Sequence, residues 1–305
     1  MMRKPAKLPN LCMTRRLAAS VLDSRIKQLA ASYRNWASKR AIRNSTLVAE
    51  KALPPDPIGI LIDSNVHHHT VTHETGWIST GEKRFGSTVR GTGYAAKVPV
   101  YRQGSNSEEY ENICYLAAIA QLAKIGRAKL WTSHHLLLER EGHPRARFAD
   151  VGWFDFNLFG RGELPSIDGD PSDGILMTAF SHNVPAPDDI KTVLSRSTDK
   201  LYLELVRVMG QKNSQDAWHI RTAEVNGLYC FLTMEASLLR IINAQRERPV
   251  IKGLTTRIMS PKMLGEALGL RPIELKHFDH QDSSWFVRPD LHWEGEKRPS
   301  TRRKK

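Results

Sequence analysis

The sequence predicts an α/β fold with a central, mainly parallel sheet and a helical extension at its N-terminus. Three observations carry this. Short apolar runs such as Ile58-Gly-Ile-Leu-Ile62 and Cys230-Phe-Leu232 alternate with helix-period segments, without a clear succession of hairpins, and parallel strands need such crossovers. No Gly or Pro occurs from Thr14 to Leu53, where Leu22, Ile26, Leu29, Tyr33 and Trp36 recur at helical spacing. Finally, apolar runs end abruptly in acids, as at Asp63 and Glu235, the place where ligands meet parallel sheets.

In chain order, residues 1–53 read as a basic amphipathic helix, or two, packed on its own domain, with a dimer seam or a nucleic-acid-gripping arm as the alternatives. Pro54-Pro55-Asp56-Pro57 is stiff and closes this region before the first strand. A polar, Gly-rich stretch, about 64–108, follows and reads as an insertion, either a long loop or a short β-hairpin. Within it Lys83, Arg84, Arg90, Lys97 and Arg102 are interleaved with Phe85, Tyr94 and Tyr101, a mixture suited to meeting phosphates and bases of single-stranded nucleic acid.

Glu108 to Gly126 reads as a helix stopped by glycine, Lys129 to Ser133 as a brief strand, and His134 to Glu141 as the next helix. A second insertion or lid, about 142–187, is rich in Gly, Pro and Asp. Asp188 to Met209 is read as helix, Asp216 to Gly227 as another, and Val250 to Met259 as the final strand. Ser260-Pro261 then supplies an N-cap and a first-turn proline for a last helix.

The net charge of +13 and pI near 9.8 are concentrated at the ends: residues 1–50 carry eleven Lys/Arg against Asp23 and Glu50, and Lys297 to Lys305 adds six cations without an acid. A near-neutral body with basic extensions suits a polyanionic partner. Cys12, Cys114 and Cys230 are odd in number and widely spaced, which argues against a disulfide framework and for a reducing, cytoplasmic compartment. No run is long and apolar enough for a membrane span or a signal peptide.

Asp216 and Glu235 stand at the two ends of a helix, glycine stop and strand, and Asp63 ends the upstream strand. Carboxylates gathered at one sheet edge repel, which makes physical sense mainly where a divalent cation neutralises them.

Four stretches give this order a family likeness: Ile62-Asp63-Ser64-Asn65; Trp131-Thr-Ser133-His-His-Leu-Leu-Leu-Glu139; Asp216-Ala-Trp-His219 through Gly227; and Phe231-Leu-Thr233-Met-Glu235. Together they resemble the PIN-domain family of metal-dependent ribonucleases. The likeness covers roughly residues 57–66, 109–142 and 187–265. It implies a three-layer α/β/α nuclease domain over residues 54–270, followed by a C-terminal extension with a basic tail over 271–305. It also implies that Asp63, Glu139, Asp216 and Glu235 hold Mg²⁺ or Mn²⁺ for hydrolysis of RNA, with DNA as the alternative substrate. Toxin members of that family imply an inhibitory, antitoxin-like protein partner, and a homodimer fits the N-terminal helix. Glu235 stands where the family usually has aspartate, which motivates the rival expectation of an inactive RNA- or protein-binding scaffold.

Duller roles compete for the same residues. Asp63 and Asp216 suit helix starts, Glu139 suits a solvated face, and Glu111 rivals it as the second acid. His67-His-His69 with His73 reads as a zinc site or a phosphate-facing cluster, and His219 as a core histidine or a site residue one turn from Asp216.

Overall fold

The computed structural model describes residues 11–101, 107–142, 156–160, 164–168, 194–278 and 284–286. The N-terminal region forms α1 (Leu11–Asn44) and α2 (Leu47–Ala52). Its two ends behave differently. Ile26, Leu29, Tyr33 and Trp36 are all more than half exposed, so this stripe does not pack on its own domain as its period suggests. The end of α1 does pack, with Ser38 bonded to His277, and Ala49 of α2 is fully buried in the core. Arg127 fastens the following turn by donating to the carbonyls of Glu50, Leu53 and Pro55.

β1 (Ile58–Ile62) runs into a short helix, α3 (Ser64–His69), and then into the long antiparallel ribbon of β2 (Val71–Phe85) and β3 (Thr88–Pro99). Next come α4 (Ser107–Lys124), β4 (Ala128–Trp131), α5 (His134–Gly142) and the two-residue β5 (Phe156–Asn157). The chain continues through α6 (Lys200–Met209), α7 (Ser214–Val225) and β6 (Cys230–Leu232). It ends in α8 (Ala236–Ala244), α9 (Pro249–Lys252), β7 (Arg257–Met259), α10 (Pro261–Leu268) and β8 (Ser284–Phe286).

The central sheet is wholly parallel, in the order β4-β1-β6-β7. Alternation along β1 sends Ile58, Ile60 and Ile62 into one core and Leu61 into a second. The first core takes Leu116, Ile119 and Leu122 of α4 and Leu264 and Leu268 of α10; the second takes Tyr202 and Leu205 of α6 and Ala217 and Ile220 of α7. Burying each of these Leu and Ile side chains is worth about 1.5–3 kcal/mol. The mixed α/β class with a parallel sheet is therefore as the sequence predicts.

Two expectations about the strands are corrected. For 64–108 the hairpin alternative holds rather than the long loop; what is corrected is the absence of consecutive hairpins, since this one founds a second, antiparallel sheet in the order β5-β2-β3-β8. Gly86, at φ +63°, permits the two-residue turn between Phe85 and Thr88. The last parallel strand is also shorter than Val250–Met259, because Pro249 at a helix start and the turn after Lys252 leave only Arg257–Met259 extended. Of the second insertion, only residues 142, 156–160 and 164–168 are described: Phe156–Asn157 pairs with β2, and Ser166 bridges Thr132 beside β4. The expected helix from Asp188 to Met209 lies outside the described residues before Leu194, and beyond it is broken at 196–199 and restarts at Lys200, where Asp199 accepts from Tyr202 N–H as the N-cap. At the C-terminal side, Ile273 and Leu275 are buried and Ser284–Phe286 pairs with β3, so the fold continues past residue 270; the basic tail lies outside the described residues.

Candidate functional site

From β1 the chain crosses to β4 on one side and later to β6 on the other, with the crossover helices on opposite faces. This reversal opens a crevice at the carboxyl end of β1, the usual place for a ligand in such sheets. Asp63 stands there. Its N–H donates to the Leu232 carbonyl, which continues the β1–β6 ladder and fixes the residue against β6.

Both Asp63 and Glu235 occupy the residue before a helix, yet neither carboxylate caps it. Asp63 accepts instead from Thr233 and from Ser64 Oγ at 3.4 Å. Asn65 ties the two strand ends together, donating to Thr233 Oγ1 at 3.3 Å and accepting from Met234 N–H at 3.1 Å. Thr233 Oγ1 also accepts from Glu235 N–H at 3.0 Å. The sequence reading quoted Asn65 and Thr233 as motif residues without a role; their role is to lock the loops that carry Asp63 and Glu235.

Asp216 lies in the first turn of α7 and Glu139 in the middle of α5. His219, one turn beyond Asp216 and only 3% exposed, places Nε2 3.4 Å from Glu139 Oε2. The second acid of the cluster is thus Glu139 rather than Glu111, which pairs with Lys262 Nζ at 2.9 Å.

The electrostatics bind these groups into one unit. Burial raises the pKa of Asp63; the Thr233 hydrogen bond and His219 oppose this, while Glu139 and Glu235 add to it, and the carboxyl ends above its ordinary range. Asp216 is pushed up to about 7, by burial first and then by Glu235, with Asp63 and Glu139 contributing. A first-turn position favours a carboxylate, so burial and acidic neighbours outweigh the helix dipole here. For His219, burial works against the charge, but the Glu139 hydrogen bond and the fields of Glu139, Asp63 and Asp216 outweigh it and raise its pKa. A buried histidine thus stands among the acids, its protonated form favoured by them.

Among the described residues, no group of three or more His, Cys, Asp or Glu side chains is close enough together to hold a metal ion as arranged. The donor chemistry nevertheless fits a hard divalent cation. All four acids offer oxygen, and Asp63 and Asp216, raised first by burial, are pushed further by neighbouring carboxylates, a field that a divalent cation would relieve.

The histidine run does not gather into a zinc site. His67 meets Phe159 edge-on, His69 bonds the Tyr101 hydroxyl at 2.9 Å beside Glu109, and His73 is buried against Thr72 and Phe156. The basic residues also divide. Lys83, Arg84 and Arg90 are exposed near the ribbon tip, whereas Lys97 donates to the Phe278 carbonyl at 2.6 Å and lies over the Phe156 ring. Arg102 lies outside the described residues.

No protein-family model, curated protein or solved structure matches the chain. The site is therefore interpreted from its own residues.

Proposed function

We propose that the protein is a Mg²⁺- or Mn²⁺-dependent endoribonuclease of PIN-like, three-layer α/β/α architecture, with its site at Asp63, Glu139, Asp216 and Glu235. The observation that carries this reading is that Asp63 and Asp216, both raised by burial, each also feel the charges of Glu139 and Glu235 at the switch point of the parallel sheet. Cores on both faces of that sheet support the three-layer assignment.

Asp63, fixed by the β1–β6 ladder, would anchor the ion, with Asp216 and Glu139 on the helices and Glu235 in the loop after β6 as its further oxygen ligands. When bound, a divalent cation supplies Lewis acidity and charge neutralisation toward a phosphodiester. The chain itself supplies the crevice, the hydroxyl and amide bonds that orient the ligands, and a buried imidazole that limits repulsion before the ion arrives. RNA is preferred over DNA on the family resemblance, and an inhibitory partner or a homodimer belongs to the same reading.

A second reading, a non-catalytic RNA- or protein-binding scaffold, is favoured by Glu235 in place of aspartate and by the exposed apolar stripe of α1. End-labelled RNA and DNA pools incubated with the full chain in Mn²⁺, Mg²⁺ or EDTA separate the two. Metal-dependent cleavage supports the nuclease and reveals its preferred nucleic acid. Salt-dependent RNA binding by a folded protein with no turnover in either metal supports the scaffold.

A further inference from the structure

Among the described residues, strand pairing to the β2–β3 ribbon is confined to its base. β5 pairs with it at Val71 and His73, and β8 at Tyr94–Ala96. Beyond the Ser79↔Gly93 pair it consists of its own two strands, and the described side chains from Ser79 to Arg90 are exposed. Seven residues of strand from Ser79 to Phe85 reach roughly 23 Å at about 3.3 Å per residue. At its root the register shifts between Ser79 and Gly81, with Gly81 at φ +95°, and Thr92 Oγ1 pins the bulge by bonding Thr80 Oγ1 and the Gly81 carbonyl.

Near the tip, Lys83 lies directly opposite Arg90. Opposed residues share a face with Cβ atoms about 5 Å apart, and like charges so placed destabilise the pair. Glu82, the nearest acid, is an adjacent strand residue and so lies on the other face. Among the described residues no carboxylate forms an ion pair with Lys83, Arg84 or Arg90. A free two-stranded ribbon is only marginally stable in water. One that sets two cations abreast is complementary to a polyanion. β2 begins only eight residues after Asp63, so the arm is rooted beside the carboxylate crevice.

We propose that this ribbon is a clamp for the phosphodiester backbone of the nucleic-acid strand that the carboxylate site cleaves, with Lys83 and Arg90 each neutralising one phosphate. The clamp rests on the nuclease reading for its substrate, but its contacts need neither metal nor turnover.

The test is binding of a fluorescein-labelled single-stranded RNA 20-mer to the full chain carrying Asp63→Asn, in EDTA, across a salt series. Each phosphate contact on a single strand contributes about −0.7 to the slope of log affinity against log salt. Lys83→Gln/Arg90→Gln should therefore weaken binding and flatten the slope by about 1.4. The charge-conserving Lys83→Arg/Arg90→Lys should keep the wild-type slope, which separates loss of charge from damage to the ribbon. Arg246→Gln/Arg248→Gln, two exposed cations away from the ribbon, should also keep it. An unchanged slope in the neutralised ribbon, or an equal loss in the Arg246/Arg248 control, overturns the clamp. Cleavage by the unmutated chain is read separately, so loss of the clamp and loss of the nuclease reading are distinct results.

Discussion

His219 Nε2 lies 3.4 Å from Glu139 Oε2, inside a cluster that also includes Asp63, Asp216 and Glu235. The pair joins α5 to α7 at the end of β1, and the neighbouring carboxylates favour the protonated imidazole there.

Replacing His219 with Ala leaves Glu139 without this counter-charge and should destabilise the fold by about 2 kcal/mol in EDTA. The folded pKa of His219 is raised above 6.5, so the stability it contributes is full below pH 6.5 and declines as pH rises through the folded value. Urea unfolding at pH 6 and pH 9 should show the larger loss at pH 6.

Asp216→Asn should act in the opposite direction. A carboxyl raised from 3.8 to about 7 on folding costs stability as pH rises between those values, and the cost is complete above about 7. Removing the charge should stabilise the metal-free protein by about 1–2 kcal/mol at pH 8, allowing for solvent at this half-buried group, with no gain near pH 3.5. The same variant should lose Mn²⁺ affinity. In the unmutated protein, affinity should rise with pH through about 7 as Asp216 releases its proton, which calorimetry in two buffers detects as proton release.

Gly265 brings α10 against α4: a Cβ there would lie 2.1 Å from Tyr115 Cδ1. Gly265→Ala should force the helices apart and cost about 1–3 kcal/mol by denaturant unfolding, despite the better helix propensity of alanine.

Lys97→Met should cost about 1–2 kcal/mol, because it removes a charged hydrogen bond to Phe278 and a cation over Phe156. The RNA salt slope should be unchanged, in contrast to the ribbon-tip variants.

The elements legible in the sequence were those in which local and tertiary preferences agree. Ser260-Pro261 starts α10 as written, with Ser260 Oγ accepting from Met263 N–H, and the apolar runs of β1 and β6 are buried strands. Asp63, Asp216 and Glu235 were legible because strand and helix ends place them. The ribbon was ambiguous because Gly, Thr and charged residues on a two-sided, exposed hairpin leave no apolar alternation to read. The α1 stripe misled for the converse reason: its period is that of a packed helix, but Ile26 through Trp36 find no cover within the described residues. His219 remained ambiguous because burial and function coincide there, and only the approach of Glu139 from a distant helix distinguishes them.

The most direct measurement is the rate at which the unmutated protein and Asp63→Asn, both verified as folded by circular dichroism, cleave one labelled RNA in Mn²⁺. The account predicts cleavage by the unmutated protein that excess EDTA abolishes, and a loss of at least a hundredfold in Asp63→Asn, about 2.7 kcal/mol of barrier. Equal rates in the two proteins, or cleavage that persists in EDTA, would contradict it.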